Sequence, residues 1–453
     1  MKRTILSVAL IAGAQSGQIC WAQVDSDQAE PVMNEEIAPY GDTLRDAILS
    51  AYQKNPSVLA QRRARLIADE QLVQAKSAWK PSVGVNTSTG YQQTRTNGFL
   101  GQQIPTRDNS AANASVGLEI SQSIWSGGRI AAGVNQAQEG VNVAEAELFT
   151  VEQDMILNVV SAYMEVRTQL AAVEIRKSNV KVLETQVEAA KARFEAGEVT
   201  RTDVAQAQAR LAGAEAQFAA TLSGLESARA QYEALVGRAP IQLADVPDAP
   251  LTPEELETAV QAALSRNPEL VALRASAKAA AHGVDAAKAE RRPNVSLSGR
   301  AGLNQTYGDP GIEDSSASVT ATFSMPIYQG GLFASQIRAA KLQEDQLKQQ
   351  VRAAERLRTA NVTRAWYLMV ANKSAIDASQ RQVEAAEIAF EGAEQELAVG
   401  LRTTLDVLDQ EQELLTARLA LIEAERDYYV AVHQLLAEMG QLSPQSLGVN
   451  IPL

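Results

Sequence analysis

Residues 82–91, Ser82-Val83-Gly84-Val85-Asn86-Thr87-Ser88-Thr89-Gly90-Tyr91, set Val83, Val85, Thr87, Thr89 and Tyr91 against Ser82, Gly84, Asn86, Ser88 and Gly90. A period of two is that of a strand with one greasy and one polar face. Three further stretches do the same. Val116, Leu118 and Ile120 alternate with Ser115, Gly117, Glu119 and Ser121; Val295, Leu297, Ala301 and Leu303 alternate with Asn294, Ser296, Ser298 and Arg300; and Val319, Ala321, Phe323 and Met325 alternate with Ser318, Thr320, Thr322 and Ser324. Each run is about ten residues, the length a tilted strand needs to cross a bilayer. The same alternation fits a soluble sheet with one wet face. Here only long helical stretches flank the four strands, so no second sheet is on hand to cover the greasy face. Four strands cannot close a barrel either, because the smallest membrane barrels use about eight. Closure therefore calls for several chains, two giving eight strands and three giving twelve.

Working outward, the chain repeats itself. Asn55-Pro56 recurs as Asn267-Pro268 and Lys80-Pro81 as Arg292-Pro293, both at a shift of 212 (267 − 55; 292 − 80). Ile124-Trp125-Ser126-Gly127-Gly128 returns as Ile327-Tyr328-Gln329-Gly330-Gly331 at a shift of 203 (327 − 124), and that shift holds for Gly197/Gly400, Asp203/Asp406 and Gly237/Gly440. The difference falls between Pro81 and Trp125, where the first repeat carries a longer polar loop.

The expected organisation is a signal peptide over 1–22, an N-terminal linker over 23–42, repeat 1 over 43–237, an equatorial linker over 238–252, repeat 2 over 253–440 and an equatorial tail over 441–453. Within repeat 1 the pattern predicts a helix broken at Asn55-Pro56, strands over about 82–92 and 113–125, a long helix over 130–196 and a return helix over 203–236. Repeat 2 gives strands over about 294–304 and 316–327, then helices over 332–399 and 406–439. At about 1.5 Å per residue each long helix is a rod of roughly 100 Å. Ile156, Val159, Tyr163, Val166, Leu170, Val173, Val180, Leu183 and Val187 make a coiled-coil seam along the first rod, matched by Val362, Trp366, Met369, Ile376, Val383 and Phe390 on the second. Such stripes are core, not a cofactor box.

Lys2 and Arg3 before the apolar run Ile5 to Ala12, with small residues up to Ala22, read as a secretory signal. Cys20, the single cysteine, lies in that leader, behind Gln18 and Ile19 rather than a small residue, so neither a lipid anchor nor a disulfide is expected. Two histidines, His282 and His433, leave no material for a histidine-rich metal site or a Ser/His/Asp triad. A net charge of −13 argues against nucleic acid, whose phosphates need a basic face. No cofactor, metal or catalytic set is expected.

The signal peptide, the duplicated helix-strand-strand-helix order and the turn Val399-Gly400-Leu401-Arg402-Thr403-Thr404-Leu405-Asp406-Val407-Leu408-Asp409 together resemble the TolC family of outer-membrane efflux proteins. The resemblance spans nearly the whole mature chain. It implies an α+β membrane protein, a trimeric channel-tunnel: four transmembrane β-strands per chain in a shared 12-stranded β-barrel, with long coiled-coil helices forming a periplasmic α-barrel. It further implies a passive exit duct in the cell outer membrane, recruited by a periplasmic adaptor and an inner-membrane ABC-type or proton-driven transporter. By the same resemblance Asp406 and Asp409 fall on the aperture carboxylates, Arg402 on a latch arginine, and Thr202 and Asp203 on the positions that hold that latch. Leu397 stands where the family carries a tyrosine, which removes one latch hydrogen bond. Val399, Gly400 and Leu401 match the tip that meets the adaptor; Gly197, in the first-repeat turn Ala196-Gly197-Glu198, is its less typical counterpart.

On the residues alone, Asp406 and Asp203 read as helix N-caps and Asp409 as a first-turn acid favoured by the helix dipole. Capping and gating are compatible at the tip of converging hairpins. Asp409 and Arg402 have Gln206 and Val199 as counterparts, so the extra charges belong to repeat 2 alone. In a trimer two carboxylate rings would attract cations and raise some of their own pKa values by like-charge repulsion. Trp125-Ser126-Gly127-Gly128 and Tyr328-Gln329-Gly330-Gly331 mark strand-helix corners, their aromatics suited to a membrane interface or to anchoring the corner. Glu119 and Arg300 fall on the lumen face. The rival architectures are a stand-alone diffusion porin, which would spend its sequence on strands, and a periplasmic coiled-coil structural or adhesive protein without a pore.

Overall fold

The computed structural model describes residues 42–96, 107–307 and 312–445; the expected signal peptide, the N-terminal linker up to residue 41 and residues 446–453 of the expected tail lie outside them. The elements run α1 (Leu44–Lys54), α2 (Pro56–Ser77), β1 (Ser82–Thr96), β2 (Arg107–Trp125), α3 (Arg129–Glu195), α4 (Arg201–Val236), α5 (Leu256–Arg266), α6 (Pro268–Ala289), β3 (Asn294–Tyr307), β4 (Ile312–Ser324), α7 (Leu332–Ala398) and α8 (Thr404–Glu438). No helix among the described residues is long and apolar enough to cross a membrane.

The strands form one antiparallel sheet in the order β1-β2-β3-β4. The first hairpin reaches further than the alternation indicated, to Thr96 and from Arg107. β4 ends earlier than expected, at Ser324, so Met325 leaves the ladder; Pro326 follows, with no N–H to donate. The polar face is laced together by Ser82 and Ser121 (Oγ to Oγ 2.8 Å), Ser88 and Ser115 (2.7 Å), and Arg300, which donates to Glu119 at 2.7 and 3.1 Å. On the other face Val83 sits opposite Ile120, Val85 opposite Leu118, and Val116 opposite Leu303, all exposed. Among the described residues nothing covers that face.

Both Asn-Pro pairs are joints built the same way. Proline takes the first helical position, where its missing N–H costs nothing, and the asparagine caps the helix: Asn55 Oδ1 accepts from Ser57 N at 3.0 Å, and Asn267 Oδ1 from Glu269 N and Leu270 N at 3.1 and 3.3 Å. The free amide then reaches across the fold. Asn55 Nδ2 donates to Leu235 O at 3.2 Å and Asn267 Nδ2 to Glu438 O at 3.1 Å, so each joint also holds the last turn of its repeat's return helix. A single side chain thus satisfies orphan groups at two helix ends.

The main core lies around these joints. Ile48, Ile156, Val159, Tyr163, Tyr232, Val362, Leu435 and Met439 are buried together, drawn from α1, α3, α4, α7 and α8. Tyr163 shares its hydroxyl between the carbonyls of Asp42 and Ala244, each at 2.8 Å, where the chain ahead of α1 bridges to the linker at Leu243. Burial pushes the Tyr163 phenol up to about 12. The two rods differ in surroundings. α3 packs on α1, α2, α4, α6 and α8 and buries most of its seam, whereas α7 meets α5, α6 and α8 and buries only Val362 and Met369 of its seam.

A left-handed glycine follows the return helix α8 at Gly440 and the rod α7 at Gly400, and the two differ in what surrounds them. A Cβ on Gly440 (φ 69°) would stand 2.5 Å from the Arg266 carbonyl oxygen and 2.9 Å from Asn267 Cα, while one on Gly400 (φ 76°) at the helix tip would meet nothing within 4 Å. Gly400→Ala should therefore cost only the left-handed penalty of about 1–2 kcal/mol. Gly440→Ala should cost about 3 kcal/mol or more, because backbone must move. Denaturant unfolding followed by far-ultraviolet circular dichroism checks the pair, and equal losses would contradict the described joint.

Candidate functional site

Each rod turns back on itself through a glycine, and the two turns use the same bonds. Gly197 N donates to Phe194 O at 3.0 Å and Glu198 N to Arg193 O at 2.9 Å; Gly400 N donates to Leu397 O at 3.1 Å and Leu401 N to Glu396 O at 2.8 Å. This closes the helix carbonyls and turns Val399 and Leu401 outward, both exposed.

The return helices then begin two residues earlier than expected, and their N-caps lie three residues earlier. The N-caps are Thr200 and Thr403, not Asp203 and Asp406, which occupy the third helical position of a capping box. Asp406 Oδ2 accepts from Thr403 N at 3.0 Å and from Thr403 Oγ1 at 2.7 Å; Asp203 Oδ2 accepts from Thr200 N at 2.8 Å and Thr200 Oγ1 at 2.9 Å. Within one chain the bonds at Asp406 act in the opposite direction to the like-charge repulsion expected of a ring. The Thr403 hydroxyl, helped by its amide, holds that carboxyl below the ordinary range, because both bonds favour the ionised form.

Asp409 lies in the second turn of α8, not the first, and pairs with Arg210 Nη2 of α4 at 2.7 Å. Its charge is therefore shared with a cation of the other hairpin. Arg402 donates to Glu396 Oε2 on its own hairpin at 2.6 Å rather than to Thr202 or Asp203 of the same chain. Thr202 is exposed on the first turn of α4. The structure thus gathers Arg402, Asp406 and Asp409 at one tip and Thr202 and Asp203 at the other.

Behind the tips sits a small apolar cluster of Leu183, Val187 and Ala190 from α3, Ala207 from α4 and Leu408 from α8. One turn further along α8 is a residue the sequence reading missed. Glu411 is buried, one oxygen accepting from Asn179 Nδ2 of α3 at 2.7 Å and the other without a partner among the described residues. Burial pushes its carboxyl up to about 7, against the Asn179 hydrogen bond and with a smaller push from Glu394 on α7. The available signal was its spacing: Val407, Leu408, Glu411, Leu414 and Leu415 form one helical stripe, with a carboxylate in a core position.

At the strand-helix corners the repeats part company. Trp125 ends β2 and pairs with Val295, and the turn through Gly127 and Gly128 packs on Arg292; Tyr328, Gly330 and Gly331 are exposed. No cluster of histidine, cysteine or acidic residues fit to hold a metal occurs among the described residues.

Comparison with known proteins agrees with this geometry. The family model described as outer membrane efflux protein matches residues 47–238 and again 259–441, one match per repeat. The outer membrane efflux protein BepC of Brucella suis is 30% identical over 417 residues, covering 91% of this chain and 89% of that protein. The outer membrane protein TolC of Vibrio cholerae is 26% identical, with 90% and 93% covered. Among solved structures, the outer membrane protein VceC of Vibrio cholerae superposes with a TM-score of 0.75 at 23% identity, covering 88% of this chain and 96% of that one, a likeness of fold. With both repeats matched, the chain belongs to the outer membrane efflux protein family: it is a subunit of an outer-membrane channel with a helical periplasmic extension, and not an enzyme.

Proposed function

We propose that three chains close one twelve-stranded barrel and one helical tunnel, and that this assembly is a passive exit duct gated at its helix tips. The observation that carries this is the combination, among the described residues, of an uncovered apolar sheet face with two free strand edges, β1 and β4. In lipid such edges must find partners, at several kcal/mol per unpaired backbone group. An inner-membrane transporter, ABC-type or proton-driven, supplies the energy. A periplasmic adaptor engages the exposed Val399-Gly400-Leu401 knob, with Gly197 as the weaker counterpart.

At the aperture Asp406 is the residue that keeps its charge, since its capping bonds stabilise the anion, while Asp409 is offset by Arg210. A threefold ring of Asp406 favours cations. To latch a closed mouth, Arg402 of each chain would exchange its bond to Glu396 for one to a neighbouring chain's Thr202 and Asp203. Single-channel recordings test the gate: Asp406→Ala should lower cation preference several-fold, and unchanged selectivity and divalent block in Asp406→Ala/Asp409→Ala would count against it.

Glu411 makes the packing behind that gate depend on pH. Its folded pKa, about 7, lies above the unfolded value of 4.5, so the buried side chain binds a proton that the released one does not. Its stabilising contribution is full below about pH 4.5 and is lost as pH rises through about 7. At neutral pH, ionisation loosens α8 from α3 beside Asn179 and Glu394. Hydrogen exchange along the start of α8 should quicken from about pH 5 to about pH 8, after correction for intrinsic rates, and Glu411→Gln should flatten that change. An identical slope in the variant would remove Glu411 from the gate.

A further inference from the structure

We infer the residue-level contact between neighbouring chains: β4 pairs with the next chain's β1 with Val319 opposite Tyr91, and the next chain's Lys80 seats on the Gly330-Gly331 corner. This deepens the ring reading above and rests on it.

The argument uses the internal repeat as a ruler. Within each repeat the strand register is identical under the two shifts. Val83 faces Ile120 and Val295 faces Phe323; Ser82 faces Ser121 and Asn294 faces Ser324. In each case 83 + 212 gives 295 and 120 + 203 gives 323, and likewise for the second pair. A chain also contains one junction between repeats, that of β2 with β3, and a closed ring needs the same junction from β4 to the next β1. Observed pairs there are Val116 with Leu303, Leu118 with Ala301, and Ile120 with Gly299. Carried over by the same shifts, they become Val319 with Tyr91, Ala321 with Thr89, and Phe323 with Thr87. These pairings keep every apolar residue on the greasy face, as a strand slipped by one residue would not.

The corners give an independent reading. At the junction inside the chain, Arg292 Nη1 donates to Gly127 O at 2.8 Å, and a Cβ on Gly127 would stand 2.5 Å from Arg292 Cβ, so only glycine fits. The counterpart of Arg292 is Lys80, and the counterparts of Gly127 and Gly128, Gly330 and Gly331, have nothing within 4 Å of where their Cβ atoms would be. Ile124 and Trp125 are 57% and 48% exposed, against 93% and 83% for Ile327 and Tyr328. On the rods Met164 is 7% exposed and its counterpart Tyr367 62%. Arg129, moreover, is ion-paired with Glu290 at 3.6 Å, and both counterparts, Leu332 and Ala78, are uncharged. The two positions that form an ion pair at one corner are thus both uncharged at the other.

The test is disulfide formation in detergent-purified protein with Cys20 replaced by serine. Val319→Cys/Tyr91→Cys should oxidise to linked dimers and trimers, because facing strand residues lie about 4.5–5.5 Å apart at Cα, within disulfide reach. Val319→Cys/Thr89→Cys, slipped by two residues, should link far less. A reversed preference overturns the register while leaving the ring intact. No linking in either variant, with a monomer by light scattering, overturns the ring itself and the register with it. For the corner, Lys80→Ala should lower the temperature at which the assembly dissociates in detergent and Lys80→Arg should leave it unchanged; no effect of Lys80→Ala overturns the corner contact.

Discussion

Everything in this fold follows from backbone groups that one chain cannot satisfy by itself. Among the described residues β1 and β4 each present an unpaired edge, and the face bearing Val83, Leu118 and Val319 is bare. Water would solvate the edges but not the face; lipid accepts the face but not the edges. Only a closed cylinder of several chains meets both demands. The helices obey the same logic, because α7 lacks the neighbours that bury α3, although the two rods come from one repeated unit. The chain is thus an incomplete object twice over, in its sheet and in its helical layer, and on the same side of the repeat.

The strands were legible because a period of two over ten residues leaves little freedom: moving the register by one residue exposes every apolar side chain to the wrong medium. The joints were legible only as breaks. Asn-Pro announces a helix boundary, yet nothing local tells that the asparagine amide will reach Leu235 or Glu438, some 180 and 171 residues away. At the tips the sequence identified the right residues and the wrong helix starts. Thr403-Thr404-Leu405-Asp406 is a capping box, in which threonine caps and the acid answers from the third position; reading the acid as the cap shifts the helix by three residues and leaves its hydrogen bonds to the threonine unforeseen. The same unforeseen bonds lower the Asp406 pKa.

The repeats have diverged where their surroundings differ. Inside the chain the corner at Gly127 is locked by Arg292, and the ion pair of Arg129 with Glu290 stands beside it. The matching corner carries Leu332 and an open glycine pair, and the matching tip carries Arg402 and Asp409 where the first has Val199 and Gln206. Duplication supplied a frame, and specialisation went to the second repeat's hairpin, whose tip charges pair with Glu396 on its own arm and with Arg210 on the other hairpin.

Burial is graded along the rods, extensive at the joints and slight near the tips. Around the Asn-Pro joints the interior is large and mostly apolar, with Tyr163, Ile156, Leu435 and Met439 fully buried. Toward the tips it shrinks to Leu183, Val187, Ala190, Ala207 and Leu408, and next to that cluster the stripe of α8 inserts a carboxylate. A buried acid with one unpaired oxygen is a poor way to hold two helices together when ionised, since desolvation of a charge outweighs a single amide hydrogen bond. Local opening draws on the least stable part of a structure, so a hairpin anchored firmly at the joints and weakly at its end can swing at the end without unfolding at the base. The same residue that weakens the packing therefore leaves the tip, not the base, as the weaker end of the hairpin.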